Sequence, residues 1–264
     1  MRFLLAIDRM RAIAEIVRVK SSVRAVELAR QFQVSGETIR RDLELLEREG
    51  LVRRVYGGAV DVHQASVSHY RERVVHRIDE KEAIGRLAST FVEDGDTLLL
   101  DVGTTINLFS QFLLEKRNLT VITPSLQVAT KLRAGNVGRV LVTGGELQAD
   151  EAYLTGMLAE SAVQKYYVDR AFISVGGISP EVGLTDFDEH EVRLRQVMMQ
   201  RAKQVIVLAD SSKLGVRAFT VIGMLDEMDI LVTDDEITPE MRRHIEEQGV
   251  EIRIAERSSR DRMR

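Results

Sequence analysis

Charged and hydroxyl side chains recur at helical spacing after Ser35, in the stretch VSGETIRRDLELLEREGLVRRVYGGA. Ile39, Leu43 and Leu46 stand at i, i+4 and i+7, which predicts the buried stripe of a helix that Ser35 caps. The opposite face carries Glu37, Arg41, Glu44 and Arg48, with Thr38 and Arg40 on its flanks. A polar first turn of this kind can reach base edges in a DNA groove, and arginines suit guanine edges and phosphates. A solvated amphipathic helix would show the same face, so the surrounding elements must decide.

A second polar set follows the apolar runs of the remaining chain. It comprises Asp101-Val102-Gly103-Thr104-Thr105, Thr123-Pro124-Ser125, Thr143-Gly144-Gly145-Glu146, Gly176-Gly177 and Asp210-Ser211-Ser212-Lys213. Glycines let backbone amides approach a ligand, and hydroxyls beside a helix that starts after Gly103 suit a phosphate. Asp101 could accept hydrogen bonds from sugar hydroxyls, and Lys213 could supply a positive charge. Each turn alone would be ordinary, but together they predict a pocket for a small anionic ligand.

Other site chemistries find little support in the sequence. There are no cysteines, which excludes disulfides, thiolate zinc sites and a cysteine nucleophile. His63, His69 and His76 lack a partner at metal-binding spacing, so we expect them to be solvated. Neither G-x-G-x-x-G nor G-x-x-x-x-G-K-[ST] occurs, which disfavours dinucleotide or nucleoside triphosphate chemistry. We expect no metal and no cofactor.

The elements around the charged helix are those of a winged helix-turn-helix. Apolar spacing predicts one helix within about Asp8 to Lys20 and a second that carries Ala25, Leu28, Ala29 and Phe32. Gln33 and Val34 form a short turn before Ser35. Leu51 to Val55, followed by Gly57 and Gly58, suits a two-stranded wing. The ordered set favours DNA binding over a solvated helical bundle.

Beyond residue 80, short apolar runs alternate with helix-length segments. The runs are Thr97 to Leu100, Leu119 to Ile122, Arg139 to Val142, Ala171 to Val175, Val205 to Leu208 and Ile230 to Val232. Helices are predicted at Asn107 to Glu115, Leu126 to Arg133 and Glu189 to Lys203. Continuous apolar strands are buried on both faces, which indicates a mainly parallel α/β sheet. Ligands bind such sheets at the carboxyl ends of the strands, where the second polar set lies.

Length and composition allow two domains. The chain has 264 residues, with 44% hydrophobic and 30% charged residues, which is ordinary for a globular protein. No run approaches the roughly 18 apolar residues of a membrane span. Phe3 to Ile7 is cut short by Asp8 and Arg9 and lacks a cleavage site, so it does not read as a secretory signal. We expect a cytoplasmic protein without a membrane partner.

Charge is segregated along the chain. Residues 1–58 hold 12 Lys+Arg against 8 Asp+Glu, whereas the remainder holds 25 against 33. A basic head on an acidic body can bind phosphates locally, although the net charge is −4.

TIRRDL followed by LEREGLVRRVYGGA closely resembles the N-terminal domain of the DeoR family of bacterial transcriptional regulators. The resemblance implies that this helix enters the major groove, with Ser35, Thr38, Arg40 and Arg41 as DNA contacts. It implies wing contacts by Arg53, Arg54, Tyr56 and Gly57. Two residues depart from the family pattern: Tyr56 replaces the usual histidine, and Arg24 stands where a small capping residue is common.

DVGTT, TPSL, TGGEL, GLT and LADSSKLG, in this order, resemble the DeoR-family sensor domain, so the likeness covers nearly the whole chain. That domain is similar in fold to ribose-5-phosphate isomerase and CoA transferases. The resemblance implies an effector pocket of Asp101, Gly103, Thr104, Thr105, Ser125, Gly144, Gly145, Glu191 and Lys213. Thr123-Pro124 replaces the usual Thr-Asn, and Arg195 stands where lysine is common; we include Thr123 and Arg195 among the candidate pocket residues.

The resulting hypothesis is a DNA-binding regulator with four segments. We expect a winged helix-turn-helix at 1–60, a linker at 61–80, an α/β effector-binding domain at 81–256 and a disordered basic tail at 257–264. Its partners would be operator DNA, a phosphorylated sugar or related metabolite, and further copies in a homodimer or homotetramer. It would repress carbohydrate metabolism genes.

The alternative is a sugar-phosphate isomerase-like enzyme that carries a DNA-binding domain. Isomerisation needs a positioned general base, and Asp186, Asp188, Glu189 and Glu191 follow the bare turn at Gly176 and Gly177. Carboxylates at a helix start are more often capping residues, so we expect no enzyme activity.

Overall fold

The computed structural model describes residues 6–20, 22–49, 51–55, 58–61, 73–148 and 151–256. The chain divides into two compact units, Met1–Arg73 and Val74–Arg264. Within the described ranges, no helix is long and apolar enough to cross a lipid bilayer. The predicted tail at 257–264 lies outside these ranges, as do residues 62–72 of the predicted linker.

Three helices form the core of the first unit. They are α1 (Ala6–Lys20), α2 (Ala25–Phe32) and α3 (Gly36–Arg48). Their apolar stripes meet in one cluster, in which Ile13, Leu28, Ile39 and Leu43 are buried. The spacing of apolar residues therefore predicted all three helices correctly.

A three-stranded antiparallel sheet closes this unit. β2 (Val52–Val55) and β3 (Gly58–Asp61) form the predicted wing, and β1 (Ser22–Arg24) pairs with the other edge of β3. A Cβ at Gly58 would lie 2.0 Å from the Val23 carbonyl oxygen, so only glycine fits where β1 crosses. Arg24, the last residue of β1, precedes α2 without a side-chain capping bond, because its guanidinium offers no acceptor to the free helix amides.

A seven-stranded parallel sheet forms the centre of the second unit, in the order β15-β14-β12-β9-β4-β5-β6. In chain order the strands are β4 (Thr97–Leu100), β5 (Leu119–Thr123), β6 (Gly138–Val142), β9 (Val168–Ile173), β12 (Ala202–Leu208), β14 (Ile230–Asp234) and β15 (Glu251–Ala255). The predicted mainly parallel α/β sheet is confirmed.

Helices cover both faces of the sheet. They are α4 (Ile78–Ser89), α5 (Thr104–Phe112), α6 (Leu126–Ala134), α7 (Met157–Val163), α8 (Glu189–Gln200) and α9 (Pro239–Glu246). A single 3₁₀ turn, Leu113–Glu115, extends α5. One core contains Ile84 and Phe109, and the other contains Val163 and Met198. Burial on both faces explains why the strands are continuously apolar.

Several boundaries and short strands differ from the sequence prediction. The helix predicted to reach Lys203 ends at Gln200, because Ala202 already pairs with Val168 as the start of β12. Helix α4 begins at Ile78, inside the predicted linker. Residues 73–75, also inside the predicted linker, are helical.

Two small antiparallel sheets were not predicted. They are the hairpin of β7 (Glu146–Gln148) with β8 (Tyr153–Thr155), and the sheet of β10 (Gly177–Ser179), β11 (Gly183–Asp186) and β13 (Thr220–Gly223). Each of these strands has three or four residues with at most two consecutive apolar side chains, which is too little pattern to be recognised from sequence. Both sheets follow carboxyl ends of the large sheet, where they contribute residues to the candidate pocket.

Candidate DNA-binding surface and effector pocket

The first turn of α3 is ordered by its capping residue. The Ser35 side chain accepts a hydrogen bond from the Thr38 amide at 3.1 Å, and the two hydroxyl oxygens lie 2.8 Å apart. Ser35 and Thr38 thus hold each other at the helix start. A Cβ at Gly36 would meet no atom within 4 Å, so the surface beside it is open.

Three charged side chains project from this turn. The side chains of Glu37, Arg40 and Arg41 are 61%, 71% and 77% exposed. Glu37 Oε2 lies 3.3 Å from Arg40 Nη1, and Glu37 Oε1 lies 3.7 Å from Arg41 Nε. A recognition helix presents this combination of donors and acceptors to a major groove.

The wing is described in its backbone. In the antiparallel hairpin, Arg53 pairs with Val60 and Arg54 with Ala59. The side chains of these two arginines lie outside what the structure describes, as do Tyr56 and Gly57. The wing contacts implied by the family resemblance therefore stay predictions.

Asp42 has a structural role that the sequence did not reveal. Its carboxylate is 6% exposed and takes two hydrogen bonds from Arg9 of α1, at 2.6 and 3.0 Å. This fork fixes α3 against α1 from the side opposite the exposed turn. The signal was available in the sequence, because Asp42 falls beside Leu43 on the apolar face of the predicted helix.

In the second unit, the loop between β4 and α5 approaches the end of β9 closely. Gly103 has φ 111° and caps α5, and a Cβ there would lie 2.8 Å from Ser174 Oγ. Thr104 and Thr105 form the first helical turn and are buried. Their backbone amides belong to the helix end, where N–H groups lack intrahelical acceptors and suit an anion.

Arg195 binds three carboxylates beside this helix start. Its Nε donates to Asp101 Oδ2 at 2.6 Å, Nη1 to Asp186 Oδ2 at 2.7 Å, and Nη2 to Glu191 Oε2 at 2.5 Å. Asp101 also accepts the Ser174 amide at 2.9 Å, so Ser174 connects the cluster to Gly103. We call these four charged residues the Arg195 cluster. Each of the three guanidinium nitrogens donates to a different carboxylate, so Arg195 positions all three acids.

Burial and charge shift the pKa values within the Arg195 cluster. Burial raises the pKa of Asp101, although Arg195 and the Ser174 amide oppose the shift. Burial also raises the pKa of Glu191, with further contributions from Asp186 and Asp101. Burial lowers the pKa of Arg195, but its three carboxylates outweigh this and raise it well above the ordinary value. Three acids around one guanidinium leave the cluster with excess negative charge, which favours hydroxyl donors as ligand groups.

Tyr153 extends the Arg195 cluster and was not among the residues expected from the sequence. Burial and the neighbouring Glu191 raise the pKa of its phenol, which makes it a hydrogen-bond donor at neutral pH. Tyr153 begins β8 and forms a bridge with Ser125, whose hydroxyl caps α6. Ser125 in turn donates its amide to Thr123 Oγ1 at 3.1 Å. The hairpin thus connects the turn after β5 to the cluster.

Gly144 and Gly145 follow β6 and lie against the same hairpin. A Cβ at Gly145 would fall 2.3 Å from the Thr155 carbonyl oxygen, whereas Gly144 faces open space. Both have positive φ, 73° and 117°. This turn therefore requires glycines for its backbone path, and Gly144 leaves room beside the backbone.

Lys213 belongs to a separate group of contacts on the turn after β12. Its amide donates to the Asp210 carbonyl at 2.9 Å. In the same turn, Ser211 binds Arg77 Nη2 through its hydroxyl at 2.9 Å and Asp234 Oδ2 through its amide at 2.8 Å. The structure thus brings Asp101, Glu191 and Arg195 into direct contact, while the recorded contacts of Lys213 tie it to Asp210.

Arg77 connects this turn to the beginning of the second unit. It has φ 53° and precedes α4, and its guanidinium reaches Asp210 at 3.4 Å, Asp234 at 3.3 Å and Glu236 at 2.9 Å. Burial lowers the pKa of Arg77, but Glu236, Asp234 and Glu80 outweigh this and raise it. Because Arg77 is held by these acids, it ties the turn after β12 to the start of α4.

The carboxylates considered for catalysis have two different roles. Asp188 caps α8 by accepting the His190 amide at 2.8 Å, as predicted. Asp186 and Glu191 instead hold Arg195. Asp186 is therefore a pocket candidate, not the helix-capping residue expected from the sequence.

An open cavity of about 360 Å³ lies at the amino ends of the strands, away from these turns. Its lining includes Asp96, Asp169 and Arg170. Asp96 is ion-paired with Arg170, and Asp169 accepts hydrogen bonds from Thr97. Asp96, Asp169 and Arg170 are thus engaged in contacts within the structure.

Comparison with known proteins identifies both units. The DeoR-like helix-turn-helix domain matches residues 9–65, and the DeoR C terminal sensor domain matches residues 76–235. The chain is 37% identical to the uncharacterized HTH-type transcriptional regulator YulB of Bacillus subtilis, over 97% of this chain and 100% of that protein. It is 31% identical to the glycerol-3-phosphate regulon repressor of Escherichia coli, over 86% of this chain and 90% of that one.

Both relatives are transcriptional regulators, and they give no support to the isomerase alternative. Among solved structures, ribose 5-phosphate isomerase A of Methanocaldococcus jannaschii is 17% identical and aligns over 51% of this chain and 53% of that one, with a TM-score of 0.37. We base no argument on a likeness this distant. The two family matches and the relatives show that the chain belongs to the DeoR family of DNA-binding transcriptional regulators.

Proposed function

We propose that this regulator represses genes of carbohydrate metabolism and is released from its operator by a phosphorylated sugar or related metabolite. The proposal rests on one observation: Gly103 and the Arg195 cluster lie next to each other, on either side of Ser174. Asp101 binds the Ser174 amide, and the Ser174 side chain lies against Gly103. An anion-binding helix end and a hydroxyl-accepting carboxylate group are therefore adjacent.

The two halves of this site suit two halves of one ligand. The amides at Thr104 and Thr105 lie at a helix N-terminus, which favours a phosphate. Asp186 and Glu191 are more open than Asp101, with side chains 14% and 15% exposed against 2%. They can accept hydrogen bonds from hydroxyl groups while Arg195 holds them in place. A phosphate-bearing polyol or sugar presents both groups.

The relatives support the direction of control. The Escherichia coli relative is named as the repressor of a glycerol-3-phosphate regulon, which pairs repression with a phosphorylated polyol. This chain shares both family domains. Repression relieved by a related metabolite follows by analogy. Operator binding places the protein in the cytoplasm with the chromosome.

Control requires that effector occupancy reach the DNA-binding unit. Arg77 offers the route, because it stands at the start of the second unit and binds the Asp210 to Lys213 turn. If phosphate draws Lys213 inward, the turn shifts and its contacts with Arg77 change. The effector then favours one arrangement of the chain over another. In a homodimer or homotetramer, two winged helix-turn-helix units would bind repeated half-sites.

A thermal-shift panel tests the ligand class. It contains glycerol 3-phosphate, ribose 5-phosphate, glucose 6-phosphate and fructose 6-phosphate, each beside its unphosphorylated parent. A ligand at 100 times its dissociation constant adds about 2.7 kcal/mol to stability, so one phosphate should raise the melting temperature while its parent does not.

Two lysine variants locate the response. Lys213→Ala should abolish the shift, whereas Lys203→Ala, in the cavity at the opposite edge of the sheet, should retain it. A response lost in Lys203→Ala and kept in Lys213→Ala would move the site to that cavity. No response from any phosphate would refute the proposed ligand class.

A further inference from the structure

The exposed first turn of α3 carries one carboxylate among its arginines. Glu37 is the acidic residue of this turn, and its described partners are Arg40 and Arg41. Each carboxylate oxygen faces a different arginine, at 3.3 and 3.7 Å. Surface ion pairs of this kind add little to stability. Their effect is to hold three side chains together on the face that approaches DNA.

A carboxylate on a DNA-facing turn is unfavourable unless a base satisfies it. Phosphates repel it, and nonspecific affinity depends on phosphate neutralisation. Guanine and thymine present acceptors in the major groove and repel it as well. The donors available there are the amino groups of cytosine and adenine. Adenine sets an N7 acceptor beside its amino group, which disfavours a carboxylate, so cytosine is the matching base.

The neighbouring arginines also suit a site that contains a G·C pair. Arginine donates to O6 and N7 of guanine, the partner of cytosine. Arg41 is 77% exposed and is not committed to a short hydrogen bond with Glu37. A carboxylate and a guanidinium on one turn can therefore read the two sides of a G·C pair or of adjacent pairs.

From this geometry we propose that Glu37 is a specificity-determining residue that accepts a hydrogen bond from a cytosine amino group in each half-site. It lowers affinity for sites that lack this cytosine. The inference concerns base readout by the first unit, so it stands independently of the effector class.

A binding selection from randomised duplex DNA tests the proposal with the full chain. The variants are Glu37→Gln and Glu37→Ala, with Glu44→Gln as the matched control. Glu44 is also an acid of α3, with a side chain 45% exposed and paired with Arg48 at 2.8 Å, but it lies two turns from the helix start. Neither Glu37 nor Glu44 is buried, so the melting temperature should stay unchanged and report intact folding.

The expected result is a base switch at one position of each half-site. The unchanged protein should prefer cytosine over thymine there by about tenfold, within the roughly 5- to 150-fold range of good base contacts. Glu37→Gln should move the preference to adenine, because an amide matches adenine N6 and N7. Glu37→Ala should lose the preference and bind random DNA more tightly.

Other outcomes overturn the proposal. If Glu37→Ala retains the cytosine preference, Glu37 does not read that base. If Glu37→Gln and Glu44→Gln raise affinity for all sequences alike, both act only through net charge. The proposal is also overturned if the DNA sites selected by the unchanged protein show no position that prefers cytosine.

Discussion

Replacing Arg195 with methionine should strongly destabilise the second unit. The guanidinium is 2% exposed and donates to Asp101, Asp186 and Glu191 at 2.5 to 2.7 Å. Methionine fills much of the volume but leaves buried carboxylates without a cation. Removing one partner of a buried ion pair costs about 3–5 kcal/mol. For a unit of this size, we expect the melting temperature to fall by roughly 6–20 °C.

The pH dependence gives a second readout with a definite sign. Burial raises the folded-state pKa of Asp101 and of Glu191. The folded state therefore binds more protons than the unfolded state above the ordinary carboxyl range, and stability falls as pH rises through that window. Arg195→Met removes the cation that opposes these pKa shifts, so it widens the pH range over which stability falls. The stability that Arg195→Met loses relative to the unchanged protein should therefore shrink when the pH is lowered from 7 toward 5.

Calorimetry of the full chain measures both effects. Arg193→Met is the matched control, because Arg193 lies on the same helix but is exposed. An exposed substitution of this kind should change stability by less than about 0.5 kcal/mol. Arg195→Lys should fall between the two variants, since it keeps the charge and loses the fork. Equal melting temperatures of Arg195→Met and Arg193→Met would contradict this prediction. A loss of melting temperature in Arg195→Met that grows as pH falls would also contradict it.

Three further predictions concern DNA binding and its control. Arg41→Ala should weaken operator binding by at least tenfold and reduce the salt slope by about one if it contacts phosphate; a change below threefold in a filter-binding titration would remove Arg41 from the interface. Asp42→Ala should destabilise the first unit by about 3 kcal/mol through loss of its buried pair with Arg9, measured by calorimetry against the exposed control Glu44→Ala, and equal melting of the two would refute the pairing. Arg77→Ala should keep the thermal shift by the binding phosphate but reduce its effect on operator affinity at least fivefold; unchanged coupling would exclude Arg77 as the route.

The large sheet and the three helices of the first unit could be predicted from sequence because their signals are local. Ile39, Leu43 and Leu46 fall on one stripe, and the strands buried on both faces show as apolar runs. The placement of the polar turns along one edge of the sheet also followed, since the carboxyl ends of parallel strands meet there. The contact of Arg195 with Asp101 and Glu191 adds residues of α8 to the turn after β4.

The missing parts depend on contacts between distant residues. Arg195 and Asp101 are 94 positions apart, and Arg77 and Asp234 are 157 apart. No local pattern pairs them, so Arg195 could not be recognised as the holder of three acids. Tyr153 was missed because β8 has three residues, which are too few to show the period of a strand. β1 was missed because its pairing with β3 joins residues on opposite sides of the helix-turn-helix.

The most direct test of control by a phosphorylated metabolite is operator affinity measured with and without it. Fluorescence anisotropy with the full chain and its own upstream DNA supplies the dissociation constant at fixed salt. We expect sequence-specific binding that weakens by about 5- to 150-fold, the usual range of allosteric coupling, when the phosphate that raises the melting temperature is added. Operator binding that is unchanged or tightened by that phosphate would contradict the proposed relief of repression.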